Sequence, residues 1–136
     1  MLKSVVYVST HELNLTELTE QLADIATVAK HKNALVSISG ALIATERYFA
    51  QILQVPSVKV DDLMLVINSD QRHSNVTIIE DIPIKQKNCP DWTLAYVGKA
   101  EYIDRHIAPL IDFGGQESSA VDRQRVVRMM RAFCRA

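Results

Sequence analysis

The chain has 136 residues, 48% of them hydrophobic, and a formal net charge of −1. A chain of this length is most simply one domain that buries about two-thirds of the surface exposed when unfolded. The near-zero charge provides no basic field of the kind that drives binding to nucleic-acid phosphates. No apolar stretch approaches the ~20 residues that cross a bilayer. The composition therefore argues against a direct nucleic-acid partner and against membrane insertion.

The two cysteines, Cys89 and Cys134, match no metal-ligand spacing, and the four histidines are not closely spaced. The N-terminal apolar run is too short for a secretory signal. We therefore expect a cytoplasmic protein with free thiols and no metal site.

The first predicted strand covers residues 4–9, and alternation places Val5, Tyr7 and Ser9 on one of its faces. A capping box of Asn14 and Glu17 then begins an amphipathic helix. This helix is predicted to run to about Lys32, and Asn33 is well suited to end it.

Residues 34–45 and 47–54 predict two strands joined by a tight turn. Gly40 inside the first of them suggests a bulge, or the close approach of another backbone or a flat ligand. In the second, alternation gives Gln51 the apolar neighbours Phe49 and Leu53. Since burying an amide without a partner costs about 1–3 kcal/mol, Gln51 should meet another side chain, a buried water or a ligand.

A second helix is predicted after Pro56 and Ser57, ending at residues 68–70, followed by strands at 75–82 and 92–97. The order βαββαββ indicates an α+β fold with a ferredoxin-like sheet and both helices on one face. Two further helices, at 101–113 and 118–135 with a hinge at Gly114-Gly115, are expected to cover the opposite face.

Tyr7, Asn33 and Gln51 could border one slot between the first two helices of such a fold. A phenol and two amides can each donate and accept hydrogen bonds. Such a slot suits a flat heteroaromatic ring with donors and acceptors along one edge. Taken singly, the three have plainer interpretations, which are a core tyrosine, a helix terminator and a satisfied core amide.

At these residues the sequence resembles the BLUF family of blue-light sensors using FAD, over roughly residues 3 to 98. The spacings from Asn33 to Gln51, from Gln51 to Asp70 and from Gln51 to Trp92 also agree with the family. The matching segments are Val6-Tyr7-Val8-Ser9, Asn33, Ile38-Ser39-Gly40, Phe49-Ala50-Gln51-Ile52-Leu53, Asp70-Gln71-Arg72-His73 and Trp92.

The resemblance implies that the flavin ring lies between the first two helices, with Gln51 bridging the Tyr7 phenol and the ring. Asn33 would bond its pyrimidine end, Asp70 would be an acidic ring contact, and Lys32 would flank the ring. Ile38 and Phe49 belong to the same implied cofactor site, and Trp92 and Leu94 to signal transmission. Residues 1–98 would then be the flavin-binding core and residues 99–136 a helical cap of the same domain.

The implied mechanism is light-driven electron and proton transfer from Tyr7, followed by its return with the Gln51 amide rearranged. We expect a photoreceptor rather than an enzyme, without an output domain of its own, signalling through self-association or a downstream protein. Several positions, some of which bear on flavin binding and signal transmission, depart from the family pattern: Ser37, Gln54, Val55, Val66, Cys89 and Leu94.

Two other classes remain open from the sequence. One is a degenerate, flavin-free interaction module. The other is a small acylphosphatase-like hydrolase, which would need an arginine-lined anion loop that residues 10–13 do not provide. Arg72 and His73 are interpreted as elements of the turn after the second helix, Trp92 could simply pack, and the arginine stripe of residues 123–135 is typical of an amphipathic helix with its charges in water.

Overall fold

The computed structural model of the chain describes residues 1–14, 16–22, 38–89, 92–112 and 120–135. Within these residues, five strands and four helices follow one another in the predicted order. They are β1 (Leu2–Thr10), α1 (helical over 16–22), β2 (Ser39–Ala44), β3 (Tyr48–Pro56), α2 (Val60–Ser69, after a 3-10 turn at Ser57–Lys59), β4 (Ser74–Ile84), β5 (Thr93–Val97), α3 (Glu101–Asp112) and α4 (Ala120–Arg135).

The strands form one sheet in the order β4-β1-β3-β2-β5. β1 and β3 are antiparallel neighbours at its centre, and β5 pairs parallel with β2 at one edge. β4 forms the other edge and continues through Pro83 to Ile84, beyond the predicted end of this strand at residue 82. An edge strand has one side without a partner strand, so a proline there need not remove a ladder hydrogen bond.

Each face of the sheet has its own apolar core, as the alternation in β1 and β3 predicts. On one face, Val6 and Ile52 pack with Ile107 of α3 and Met130 of α4. On the other face, the residues of β1 and β3 pack with α1 and α2 in a cluster that contains Val5, Tyr7, Phe49, Leu53, Leu18, Leu22, Val60 and Met64. The α+β fold with two helices on one face and two C-terminal helices on the other is thereby confirmed.

The capping box predicted at the start of α1 is also confirmed. The backbone N–H of Glu17 donates to Asn14 Oδ1 at 2.8 Å, and the Asn14 side chain contacts the Glu17 carboxylate. The first helical bond runs from Leu18 N to Asn14 O at 2.8 Å. The predicted later course of this helix, including Lys32 and Asn33, lies outside the described residues.

Gly40 lies where another backbone approaches closely, one of the possibilities suggested by a glycine inside a strand. Its φ is +157°, and a Cβ placed on it would lie 2.0 Å from the carbonyl oxygen of Ile52 on β3. Because that oxygen belongs to a central strand, the contact can be relieved only by moving the sheet.

Gly40→Ala is therefore expected to lower the free energy of unfolding by about 3 kcal/mol or more, measured by urea denaturation. Gly98→Ala is the matched control, because Gly98 has a similar φ of +151° but its Cβ would meet the side chain of Tyr96 rather than backbone, with the hydroxyl nearest at 3.1 Å. The control should lose about 1 kcal/mol. Equal losses would contradict the close approach as the cause.

The expectation of free thiols is wrong. Cys89, which precedes β5, and Cys134, near the end of α4, form a disulfide across 45 residues of chain. The spacing argument tested only nearby metal ligands, whereas this pairing arises because α4 docks on the sheet beside the segment between β4 and β5. None of the helices within the described residues is long and apolar enough to cross a membrane.

Candidate functional site

The buried amide of Gln51 has two side-chain partners. Tyr7 and Gln51 are directly opposite each other in the β1–β3 register. Gln51 Nε2 donates to the Tyr7 hydroxyl at 2.7 Å, and Trp92 Nε1 donates to Gln51 Oε1 at 2.8 Å. All three side chains are at least nine-tenths buried. The polar partner required by the sequence is therefore a phenol on one side and an indole on the other.

This arrangement selects one orientation of the amide. The indole N–H of Trp92 can only donate, so the atom of Gln51 that faces it must be the oxygen. The Tyr7 hydroxyl can donate or accept, and it suits either end of the amide. Rotation of Gln51 by half a turn would keep a bond to Tyr7 and lose the bond to Trp92, which is worth about 1 kcal/mol.

Tyr7 is held as a neutral phenol. Burial raises its pKa well above the ordinary value, the hydrogen bond from Gln51 opposes that rise, and the negative charge of Asp70 adds to it. The phenolate is thus inaccessible near neutral pH.

Charged groups stand at one end of the same site. Arg72 forms an ion pair with Asp70, with its Nε 2.8 Å from Asp70 Oδ1. The hydrogen bond from Arg72 holds the pKa of Asp70 below its usual range, although partial burial acts in the opposite direction. Asp70 is therefore a carboxylate with its charge balanced locally.

These residues border one cavity of about 170 Å³ on the face of the sheet that carries α1 and α2. Its walls are largely aliphatic, and its polar groups are gathered around the Tyr7–Gln51–Trp92 row and the Asp70–Arg72 pair. The lining consists of Tyr7, Leu13, Leu22, Leu42, Phe49, Gln51, Leu53, Leu63, Ile67, Asp70, Arg72, His73 and Trp92.

Two histidines contribute to this region that sequence reasoning did not place there. His73 lines the cavity and is fixed between Ser9 Oγ at 2.7 Å and the carbonyl oxygen of Ile67 at 2.7 Å. His11 lies on Phe49, with ring centroids 4.6 Å apart, and burial lowers the pKa of His11. The alternation of Tyr7 and Ser9, continued by two residues, would have indicated His11.

Four further residues were candidates from the sequence: Ile38, Leu94, Lys32 and Asn33. Ile38 is buried in the core cluster that contains Tyr7 and Trp92, and Leu94 packs against that cluster from β5. Lys32 and Asn33 lie outside the described residues. The structure therefore brings together Tyr7, Phe49, Gln51, Asp70 and Trp92, with Ile38 and Leu94 adjoining them.

A family model described as "BLUF: Sensors of blue-light using FAD" matches residues 2–95 of the chain. Among curated proteins, the beta subunit of a photoactivated adenylate cyclase from Euglena gracilis is 33% identical over 94 residues. The corresponding subunit from Euglena longa is 32% identical over 94 residues. Each match covers 68% of this chain but only 11% of the cyclase subunit.

Solved structures share the whole architecture. The photo-activated state of BlsA has a TM-score of 0.70 at 23% identity, covering 96% of this chain and 95% of BlsA. The dark-state structure of BlrB, a BLUF protein, has a TM-score of 0.66 at 21% identity, covering 94% of this chain and 96% of BlrB. A bacterial light-regulated adenylyl cyclase has a TM-score of 0.64 at 25% identity, covering 97% of this chain and 40% of the cyclase.

Proposed function

This chain belongs to the BLUF family of sensors of blue light using FAD, and we propose that Tyr7 and Gln51 are its photoactive residues. The observation that carries the proposal is the buried hydrogen-bonded row from Tyr7 through Gln51 to Trp92 beside an open cavity. A module that had lost its ligand would gain stability by closing that cavity, because unfilled apolar volume is costly.

The residues around the cavity fit the ring of FAD. Aliphatic side chains form walls for a flat aromatic system, and the polar row lies along one border. The Gln51 amide nitrogen carries a second hydrogen, available to an acceptor on the ring edge. We also assign Asn33, Lys32, Asp70, Ile38 and Phe49 to cofactor binding, as the family resemblance implies.

Bound FAD supplies a strong oxidant when it absorbs blue light. Tyr7 is the phenol that can give it an electron, and the raised pKa of Tyr7 keeps the proton on the phenol until then. In this structure the Gln51 amide nitrogen donates to the Tyr7 oxygen, so a proton released by Tyr7 would reach Gln51 only if the amide turned its oxygen toward the phenol, and electron and proton would then return. No net oxidation or reduction is left in the protein, so the record of the photon must lie in the arrangement of its hydrogen bonds.

Gln51 stores that record because an amide presents a donor at one end and an acceptor at the other. Two orientations, or two tautomers, therefore give two different bonding networks with the same neighbours. The orientation in this structure is stabilised by Trp92, whose N–H rejects the reversed amide. Loss of that bond would release Trp92, which immediately precedes β5.

β5 is placed to carry the change to the opposite face of the sheet. Leu94 packs against the core cluster that contains Tyr7 and Trp92, whereas Ala95 packs against the core formed with α3 and α4. Movement of Trp92 is thus transmitted to the C-terminal helices through one short edge strand. We propose that residues 1–98 are the flavin-binding core, that residues 99–136 are its helical cap, and that the chain is a cytoplasmic sensor without catalytic activity.

The deciding experiment is an absorption spectrum of the purified protein before and after blue light. We expect a yellow protein that contains FAD, whose visible absorption moves slightly to longer wavelength and returns in the dark. A colourless protein that takes up no FAD on reconstitution would contradict the proposal.

We further propose that the signal leaves through self-association or a downstream protein. Self-association is supported by two surfaces of opposite charge. The outer face of α2 combines the exposed Leu65 and Val66 with Asp62. The groove between α3 and α4 is bordered by Arg125 and Arg128. Sedimentation velocity on the same dark and illuminated samples tests this route. A monomer at every concentration, in dark and light, would leave only a downstream protein.

A further inference from the structure

The disulfide lies at a junction between three parts of the fold. Cys89 belongs to the segment between β4 and β5, and Cys134 to the last turn of α4. The same segment is tied to β3 by Gln54, whose Oε1 accepts the backbone N–H groups of Asn88 at 2.6 Å and Cys89 at 3.0 Å. Both cysteines and Gln54 are buried.

This junction adjoins the Tyr7–Gln51–Trp92 row along two segments of the chain. Gln54 is three residues beyond Gln51 on β3, and Trp92 is three residues beyond Cys89. The start of β5 is therefore held by Trp92 bonding to Gln51, by Gln54 bonding to the preceding segment, and by the covalent link to α4. Of these three, only the covalent link reaches α4.

We propose that Cys89–Cys134 is a reversible redox site, reduced by a dithiol, which sets how tightly α4 is tied to the segment that carries Trp92. The proposal rests on the proposed function for its link to the photocycle. If the chain acts in the cytoplasm, as proposed above, a disulfide there is typically transient and redox-sensing rather than permanent.

The reaction balances with a dithiol as the only co-reactant. One thiolate of the dithiol attacks a sulfur of the bridge, the Cys89–Cys134 bond breaks, and a mixed disulfide forms. The second thiol then attacks the mixed disulfide, closing the oxidised dithiol. Two electrons and two protons pass to the protein, which ends with thiols at Cys89 and Cys134.

Reduction removes the covalent link and leaves the two hydrogen bonds that Gln54 accepts and the apolar packing of α4. A bridge that closes a loop of this length restricts the chain strongly, so its loss should increase local opening of α4 and of the segment before β5. Trp92 then becomes less constrained, and the Gln51 amide can turn back more readily after illumination.

The test compares the FAD-bound protein equilibrated with oxidised or with reduced dithiothreitol. Alkylation and mass measurement should count no free thiols in the first and two in the second. Hydrogen exchange in residues 120–135 should be at least about tenfold faster after reduction. Dark recovery of the absorption should be at least about threefold faster in the reduced protein.

Cys134→Ser supplies the control, because it keeps the size of the side chain but cannot bridge. In both reagents it should show one free thiol, and its hydrogen exchange and dark recovery should match those of the reduced protein. Two free thiols that persist with the oxidant would overturn the proposal. So would a bridge whose reduction leaves the exchange of α4 or the recovery rate unchanged. If no sample responds to light, the proposed function fails instead, and the thiol count and exchange data still decide the redox site.

Discussion

Replacing Gln51 by leucine is expected to leave a yellow protein whose absorption no longer shifts under blue light. Leucine fills a similar volume but has neither donor nor acceptor, so the two bonding networks that record the photon cannot form. The variant also leaves Tyr7 and Trp92 without their shared partner. That loss should lower the free energy of unfolding by about 1–3 kcal/mol, measured by urea denaturation.

Gln124→Leu provides the matched control, because Gln124 is an exposed residue of α4. It makes the same chemical change away from the cavity, and its light response should be that of the unaltered protein. A normal photocycle in the Gln51→Leu variant would show that another group records the photon, and the mechanism proposed for the amide would be abandoned.

The contact between Tyr7 and Gln51 joins residues 44 positions apart, and the sequence indicated it through the family resemblance. Alternation predicted the face of each residue, and the ferredoxin-like topology allows β1 and β3 to be neighbours. The sequence also indicated that Gln51 needs a polar partner. It left the choice among side chain, water and ligand open.

The contact between Trp92 and Gln51 could not be anticipated in the same way. It depends on β5 returning to pair parallel with β2, and on Trp92 standing just before the first paired residue, Thr93. Parallel pairing joins residues far apart in the chain, and no local pattern specifies its register. The residue was identified as a candidate, but its packing and its hydrogen bond remained undecided.

The disulfide shows the same limitation more strongly. Cys89 and Cys134 became partners only through the docking of α4 on the far face of the sheet, in the core that contains Val127 and Met130. Helical periodicity predicted that α4 would dock but not where its last turn would lie. Free thiols were expected together with a cytoplasmic location, and that location carries no information about where the last turn of α4 lies.

Tyr7→Phe is expected to abolish the light-induced shift and to raise flavin fluorescence. The substitution removes only the hydroxyl, which is the proton donor and part of the proposed electron source, and it leaves the apolar contacts of the ring in place. Tyr96→Phe is the control, because Tyr96 is partly exposed and bonds only the carbonyl oxygen of Lys99 among its described contacts. Steady-state fluorescence and the illuminated spectrum measure both effects.

The two cavity variants should differ in a way that separates the two proposed roles. Gln51→Leu keeps the phenol, so Tyr7 still gives up its electron and flavin fluorescence stays low although no shift follows. Tyr7→Phe removes the donor, so the fluorescence rises and the shift is lost together. Equal fluorescence in the two variants would mean that Tyr7 is not the electron donor, and Trp92, which lines the same cavity, would be the next residue to test.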